Sequence, residues 1–259
     1  MTISAASLAP RGIPSPIAVA VASAWVASAA AEASGVAGSV HHDSLLEGGP
    51  GLGLALVLFL LAWQVMIAAM MLPSSLPLVM IFTAASEGAP GRRRALAGFV
   101  GGYAVVWSAF GALAFAGDAS LHALVAASPW MEAHDWAIAP GVLVLAGLFQ
   151  FSSLKDACLR ACRHPASFLH RHYRRGTRGG FELGARHGLF CVGCCWALML
   201  VMFAAGAASL VWMAALTALM VYEKTRPSGA RTVPLTGAVL LAAGSTLLLW
   251  NAYASSTLG

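Results

Sequence analysis

A chain of 259 residues that is 59% hydrophobic and only 10% charged, with a mean hydropathy of +0.78, excludes a water-soluble fold, in which about 25% of residues are charged. The formal charge of +5 does not point to nucleic acid, because the basic residues fall in loops that a membrane surface claims. Each crossing needs about 20 apolar residues, so seven crossings use over half the chain and leave no room for a large soluble domain.

The apolar stretches read as helical spans at approximately 14–34, 51–72, 95–117, 135–153, 188–205, 208–223 and 233–252. The fold class is therefore all-α, a polytopic transmembrane bundle of about seven spans, or six if the first is removed. Span one is rich in Ala, with Trp25 as its largest side chain. Ala27-Ser28-Ala29 fits the A-x-A cleavage pattern of a secretory signal, and Arg11 supplies a minimal basic region before it. A retained helix and a cleaved signal both remain open. Residues 1–50 thus form an N-terminal span or signal segment with an outer loop, and 51–255 form the bundle.

Span two is interrupted by Pro73 and Pro77. A proline inside a helix removes a hydrogen bond and bends the axis, so a kink or an end is expected near Leu72, with Ser74 and Ser75 placed to satisfy freed backbone groups. Met66 and Met70 share a face of this span and Met71 borders it. Gln64 is a polar residue inside it. In span three, Gly98 and Gly102 form a G-x-x-x-G, which permits close helix approach. The run Leu189–Tyr222 is too long for one ordinary span, and the small residues 204–209 suit a tight hairpin between spans five and six. Met199, Met202, Met213 and Met220 lie on those two spans.

All 15 basic side chains fall in alternate connections. Arg11 precedes span one, Arg92–Arg94 follow span two, eight from Lys155 to Arg186 follow span four, and Lys224, Arg226 and Arg231 follow span six. The opposite connections carry Asp43, Glu47, Asp118, Glu132 and Asp135. Basic loops stay in the cytoplasm, which gives an N-in, C-out orientation, a basic cytoplasmic loop at 154–187, and a multi-pass protein of a bacterial inner membrane.

Five cysteines occur, Cys158, Cys162, Cys191, Cys194 and Cys195, all on the cytoplasmic side, where a structural disulfide framework is not expected. Cys158 and Cys162 are spaced i, i+4 and share a helix face. Cys191, Cys194 and Cys195 are read as opening the fifth helix, with Gly193 letting the backbone turn closely and the helix start lowering the thiol pKa. The loop between the two groups can bring them together, and His164 and His187 add imidazoles. Such a set suits Cu(I) or Zn(II), and an iron–sulfur cluster is a further option. The thioethers of Met66, Met70 and Met71 favour copper over zinc. On the outer side His41, His42 and Asp43, with His122, His134 and Asp135, form candidate Cu(II) or Zn(II) ligands. Glu223 and Lys224 close span six. Snorkelling accounts for Lys224 there, and an Arg of the central loop is the expected partner of Glu223.

Ala69-Met70-Met71-Leu72-Pro73-Ser74, the block from Lys155 through Cys158, Cys162, Arg163 and His164 to Pro165, Gly188-Leu189-Phe190-Cys191-Val192-Gly193-Cys194-Cys195-Trp196, and Glu223-Lys224 together resemble an uncharacterised bacterial family of predicted metal-binding integral membrane proteins. The resemblance covers about residues 55–225 and implies metal binding, without naming a metal or a reaction.

No P-loop, dinucleotide-binding or hydrolase motif is present, so an enzyme is not indicated. The leading expectation is a membrane protein that binds copper for handling or transport, with a metallochaperone or a membrane enzyme as partner. One alternative is an accessory subunit of a membrane enzyme complex, with Trp63, Trp107 and Trp212 packing helices or facing lipid. Another is a transmembrane thiol–disulfide electron carrier using Cys158/Cys162 and Cys191/Cys194 as exchange pairs.

Overall fold

The computed structural model describes residues 12–39, 42–47, 51–204 and 209–258, and no strand occurs among them. Arg11, His41 and most of the expected hairpin at 204–209 lie outside the described residues. Among the described residues five helices are long and apolar enough to cross a membrane: α1 (Ser15–Ala33), α4 (Leu52–Ala85), α5 (Arg92–Ala127), α10 (Gly176–Ala204) and α12 (Gly229–Leu258). Two short helices, α2 (Val36–Ser39) and α3 (His42–Glu47), connect α1 to α4. The turn from α4 into α5 carries Gly88 and Gly91 at φ of 73° and 81°, left-handed values that glycine adopts without a Cβ penalty.

Helix α4 runs through both prolines without ending, so of the expected kink or end near Leu72 the end does not occur. A neighbouring helix takes up the group that Pro73 frees. Pro73 leaves the Ala69 carbonyl without its helical donor, and the Trp25 indole N–H of α1 donates to that carbonyl at 3.1 Å. Ser74 and Ser75 instead donate to the Met71 carbonyl, at 2.8 and 3.2 Å. The freed group is thus satisfied by another helix, not by the local serines. Gln64 joins α4 to α5, donating to the Ala104 carbonyl at 3.2 Å and to Ser108 Oγ at 2.8 Å.

The most extensive helix pairing among the described residues is α5 with α10. Gly98 and Gly102 face the carbonyls of Thr177 and Phe181, and in return Gly180 and Gly184 face those of Ala95 and Phe99. A Cβ at any of the four would collide with backbone. The G-x-x-x-G of span three therefore has a matching glycine row on α10, in a stretch that reads as a charged loop.

Downstream of α5 lie α6 (Pro129–Glu132), a 3₁₀ turn (Asp135–Ala137), α7 (Ile138–Gln150), α8 (Ser153–Arg163) and α9 (Pro165–His172). The fourth expected span is broken: α7 and α8 meet at 65°. At 1.5 Å per residue α7 is about 20 Å long, shorter than the hydrocarbon core of a bilayer. Ser152 caps α8 by accepting from the Lys155 N–H at 3.1 Å. Residues 154–187, expected as a loop, are thus mostly helical. Helix α11 (Leu210–Thr225) is separate from α10, as the division of Leu189–Tyr222 into two segments anticipates.

Replacing Trp25 by Phe strands the Ala69 carbonyl inside a helix pair. The expected result is a fall in stability of about 1 kcal/mol, seen as a lower thermal midpoint of the full chain in detergent. Trp212→Phe, at a half-exposed site, serves as the control. Equal midpoints for the two variants would remove the Trp25 bond from this role.

Candidate metal centre

Cys191, Cys194 and Cys195 sit well inside α10, which begins at Gly176 and runs unbroken to Ala204. The expectation that they open a helix is corrected accordingly. No free N–H groups or positive helix end face these sulfurs, and Gly193 does not turn the chain. At i, i+3 and i+4 the three thiols lie on one helical face. The Cys191 carbonyl accepts from the Cys194 and Cys195 thiols at 3.2 and 2.7 Å. What Gly193 does is admit a second helix: a Cβ there would stand 2.5 Å from Cys158 Sγ.

That second helix is α8. Its Cys158 and Cys162 are buried, and Cys162 Sγ lies 4.0 Å from Cys194 Sγ. From α4, Met71 Sδ lies 3.8 Å from Cys195 Sγ. Sulfur from three helices therefore meets in one buried cluster, which also contains Met66, Met70, Met199, Met202, Met213 and Met220.

Two buried charged residues frame the sulfurs. Glu223 and Lys224, consecutive at the end of α11, are 2% and 6% exposed. Glu223 Oε2 accepts from Lys155 Nζ of α8 at 2.8 Å, and the Arg163 guanidinium donates to the Glu223 backbone carbonyl. The expected arginine partner is thus found on the main chain, while the carboxylate goes to a lysine. Lys224 does not snorkel outward. Its ammonium points inward, donating to Ser74 Oγ at 3.0 Å and Cys191 Sγ at 3.1 Å, and it stands 3.9 Å from Cys195 Sγ.

Tyr103 of α5 was not singled out by the sequence, although a phenol in an apolar span is a visible signal. Its hydroxyl lies 3.1 Å from Cys191 Sγ and accepts from Ser75 Oγ at 3.3 Å. His187 is buried one step further out, with Nε2 3.1 Å from Ser75 Oγ and its ring stacked at 5.9 Å on Tyr103. It therefore supports the cluster through Ser75 and does not touch a sulfur.

The remaining candidates lie elsewhere. His164 is exposed at the end of α8, with Nδ1 2.8 Å from the Arg160 carbonyl. His42 begins α3. His122 faces Asp118 at 3.7 Å, and His134 stacks on Trp130 with Nδ1 2.7 Å from its carbonyl. Among the described residues no three His, Cys, Asp or Glu side chains converge in a metal-holding group. The sulfurs meet in pairs.

A family model described as "PpoB2: Copper chaperone" matches residues 60–247. That segment contains every sulfur, serine and lysine of the cluster. No curated protein and no solved structure matches the chain.

Breaking the Lys155–Glu223 pair from one side leaves a buried charge without its counter-ion. Glu223→Gln and Lys155→Met should each destabilise the protein by about 3 kcal/mol or more, and the double variant should recover much of that loss. Denaturation of all four proteins in detergent measures the coupling. A double variant whose loss equals the sum of the two single losses would show that the ion pair contributes nothing of its own.

Proposed function

Since the chain belongs to the family of copper chaperones described as PpoB2, we propose that it is an integral membrane protein of the bacterial inner membrane that binds Cu(I) on its buried sulfurs and hands it on. Five long apolar helices and the confinement of the basic residues to alternate connections support membrane insertion with the N-terminus inside. In that orientation α8, the cysteines of α10 and the end of α11 lie toward the cytoplasmic side, where Cu(I) is the prevailing copper state. The ion is cargo, and no redox step is required.

The observation that carries the reading is the meeting of soft donors from three helices: Cys162 with Cys194 at 4.0 Å and Cys195 with Met71 at 3.8 Å. With metal–sulfur bonds of about 2.3 Å, two ligands of one ion stand about 3.8 Å apart at a tetrahedral angle and about 4.6 Å apart when linear. Both observed separations fall in or at the edge of that range. Thiolate with thioether selects Cu(I) over Zn(II), and an iron–sulfur cluster needs four thiolates at one point. Met66 and Met70, in the same cluster as Met71, continue the soft surface along α4. His41 and His42 are the outer residues that would give or receive the ion. A metallochaperone or a copper-dependent membrane enzyme is the partner this cargo implies.

A second reading rests on one of the same distances. Cys162 and Cys194 face each other across two helices, so a small shift would let them form a disulfide, as a thiol–disulfide carrier requires. Metal analysis separates the two readings. The full chain purified anaerobically from copper-replete cells should carry roughly stoichiometric copper, and Cys162→Ser with Cys194→Ser should remove most of it. Copper-free wild-type protein in which trapping and mass spectrometry find a Cys162–Cys194 bridge would replace this function with the electron carrier.

A further inference from the structure

We propose that Lys224 fixes the charge of the ion that the sulfur cluster accepts, making it a site for a monovalent thiophilic cation and against a divalent one. The inference rests on the copper-binding reading above and says how that site tells Cu(I) from Zn(II).

The argument is a charge count in a place without water. Three charged side chains near the sulfurs are almost wholly buried: Lys155, Glu223 and Lys224, at 1%, 2% and 6% exposure. Lys155 and Glu223 neutralise each other at 2.8 Å. Lys224 has no carboxylate in ion-pair reach among the described residues, and its ammonium is held by Ser74 Oγ and Cys191 Sγ. Arg163 is only half-buried, and its second nitrogen reaches the exposed Pro227 carbonyl. One positive charge is therefore left over beside the cysteines, and a buried charge without a partner is strongly disfavoured.

Consider an ion gripped by two of these cysteines. Both sulfurs then serve as thiolates. A monovalent ion with two thiolates carries one negative charge, which the ammonium cancels. A divalent ion with two thiolates is neutral and leaves the ammonium uncancelled. A third thiolate would restore neutrality for the divalent ion, but among the described residues no three such ligands converge. The Met71 thioether adds a donor to Cys195 without adding charge. An ion held by two thiolates beside Lys224 thus balances for one positive charge on the metal and not for two.

Competition titrations on the full chain in detergent test this. Cu(I) is measured anaerobically against bathocuproine disulfonate, and Zn(II) against a zinc-responsive chelator dye. Lys224→Met should weaken Cu(I) by about tenfold or more, as loss of an outer-shell partner does, while Zn(II) affinity stays level or rises. Lys224→Arg should restore the wild-type preference. Ser74→Asp, which sets a carboxylate against the ammonium from a different helix, should shift the preference the same way as Lys224→Met even if that variant fails to fold. A merely structural lysine would weaken both ions in parallel. An unchanged Cu(I)-to-Zn(II) ratio in Lys224→Met or Ser74→Asp overturns the inference and leaves the copper function standing. Wild-type protein that binds neither ion overturns the function itself.

Discussion

A carboxylate and an ammonium 2.8 Å apart, both nearly out of solvent contact, join α8 to the end of α11, and the arrangement of the sulfurs depends on that junction. Helix α8 is also packed against α10, and its Arg163 donates to the Glu223 and Pro227 carbonyls. It is 11 residues long, set at 65° to the helix before it, and of its polar residues Ser153, Asp156 and Arg160 are exposed. An isolated helix of that length is marginal in water. Pinned by Lys155 to Glu223, it presents Cys158 to the gap at Gly193 and Cys162 to Cys194. Because Glu223 and Lys224 are neighbours in the chain, the contact that fixes α8 also aims the second ammonium at Cys191. One corner of α11 thus sets both the geometry and the electrostatics of the cluster.

Much of this is legible in the sequence, and the parts that are not share a cause. The long apolar helices follow from hydropathy, the shared face of Cys158 and Cys162 from i, i+4 spacing, and the methionine face of α4 from the same rule. The start of α10 does not. Residues 176–190 carry Arg178, Glu182 and Arg186 among five glycines, a composition with poor intrinsic helicity. Those glycines form a helix because Gly180 and Gly184 must face the α5 backbone, and tertiary packing outweighs propensity. Since α10 begins at Gly176, an argument about pKa values at a helix start does not apply to Cys191.

The same limit governs Pro73 and Lys224. A single sequence states that proline frees a carbonyl, but not that an indole 44 residues away will occupy it. It places Lys224 at the end of an apolar run, where an outward turn is the ordinary outcome. Only the neighbouring helices reveal that Ser74 and two sulfurs offer the ammonium an inward alternative. In each case the residue type announces a need, and a distant segment decides how the need is met.

The glycine seam between α5 and α10 bears on how such a cluster can change shape. Backbones in direct contact leave those two helices little room to slide past each other, and Cys191, Cys194 and Cys195 belong to that pair. Across from them, α8 hangs from a joint at Phe151–Ser152. The 4.0 Å gap between Cys162 and Cys194 therefore depends on the angle at that bend, and the distances within α10 do not. Three sulfurs of the cluster thus belong to the glycine seam, and two reach it from a helix attached through a bend.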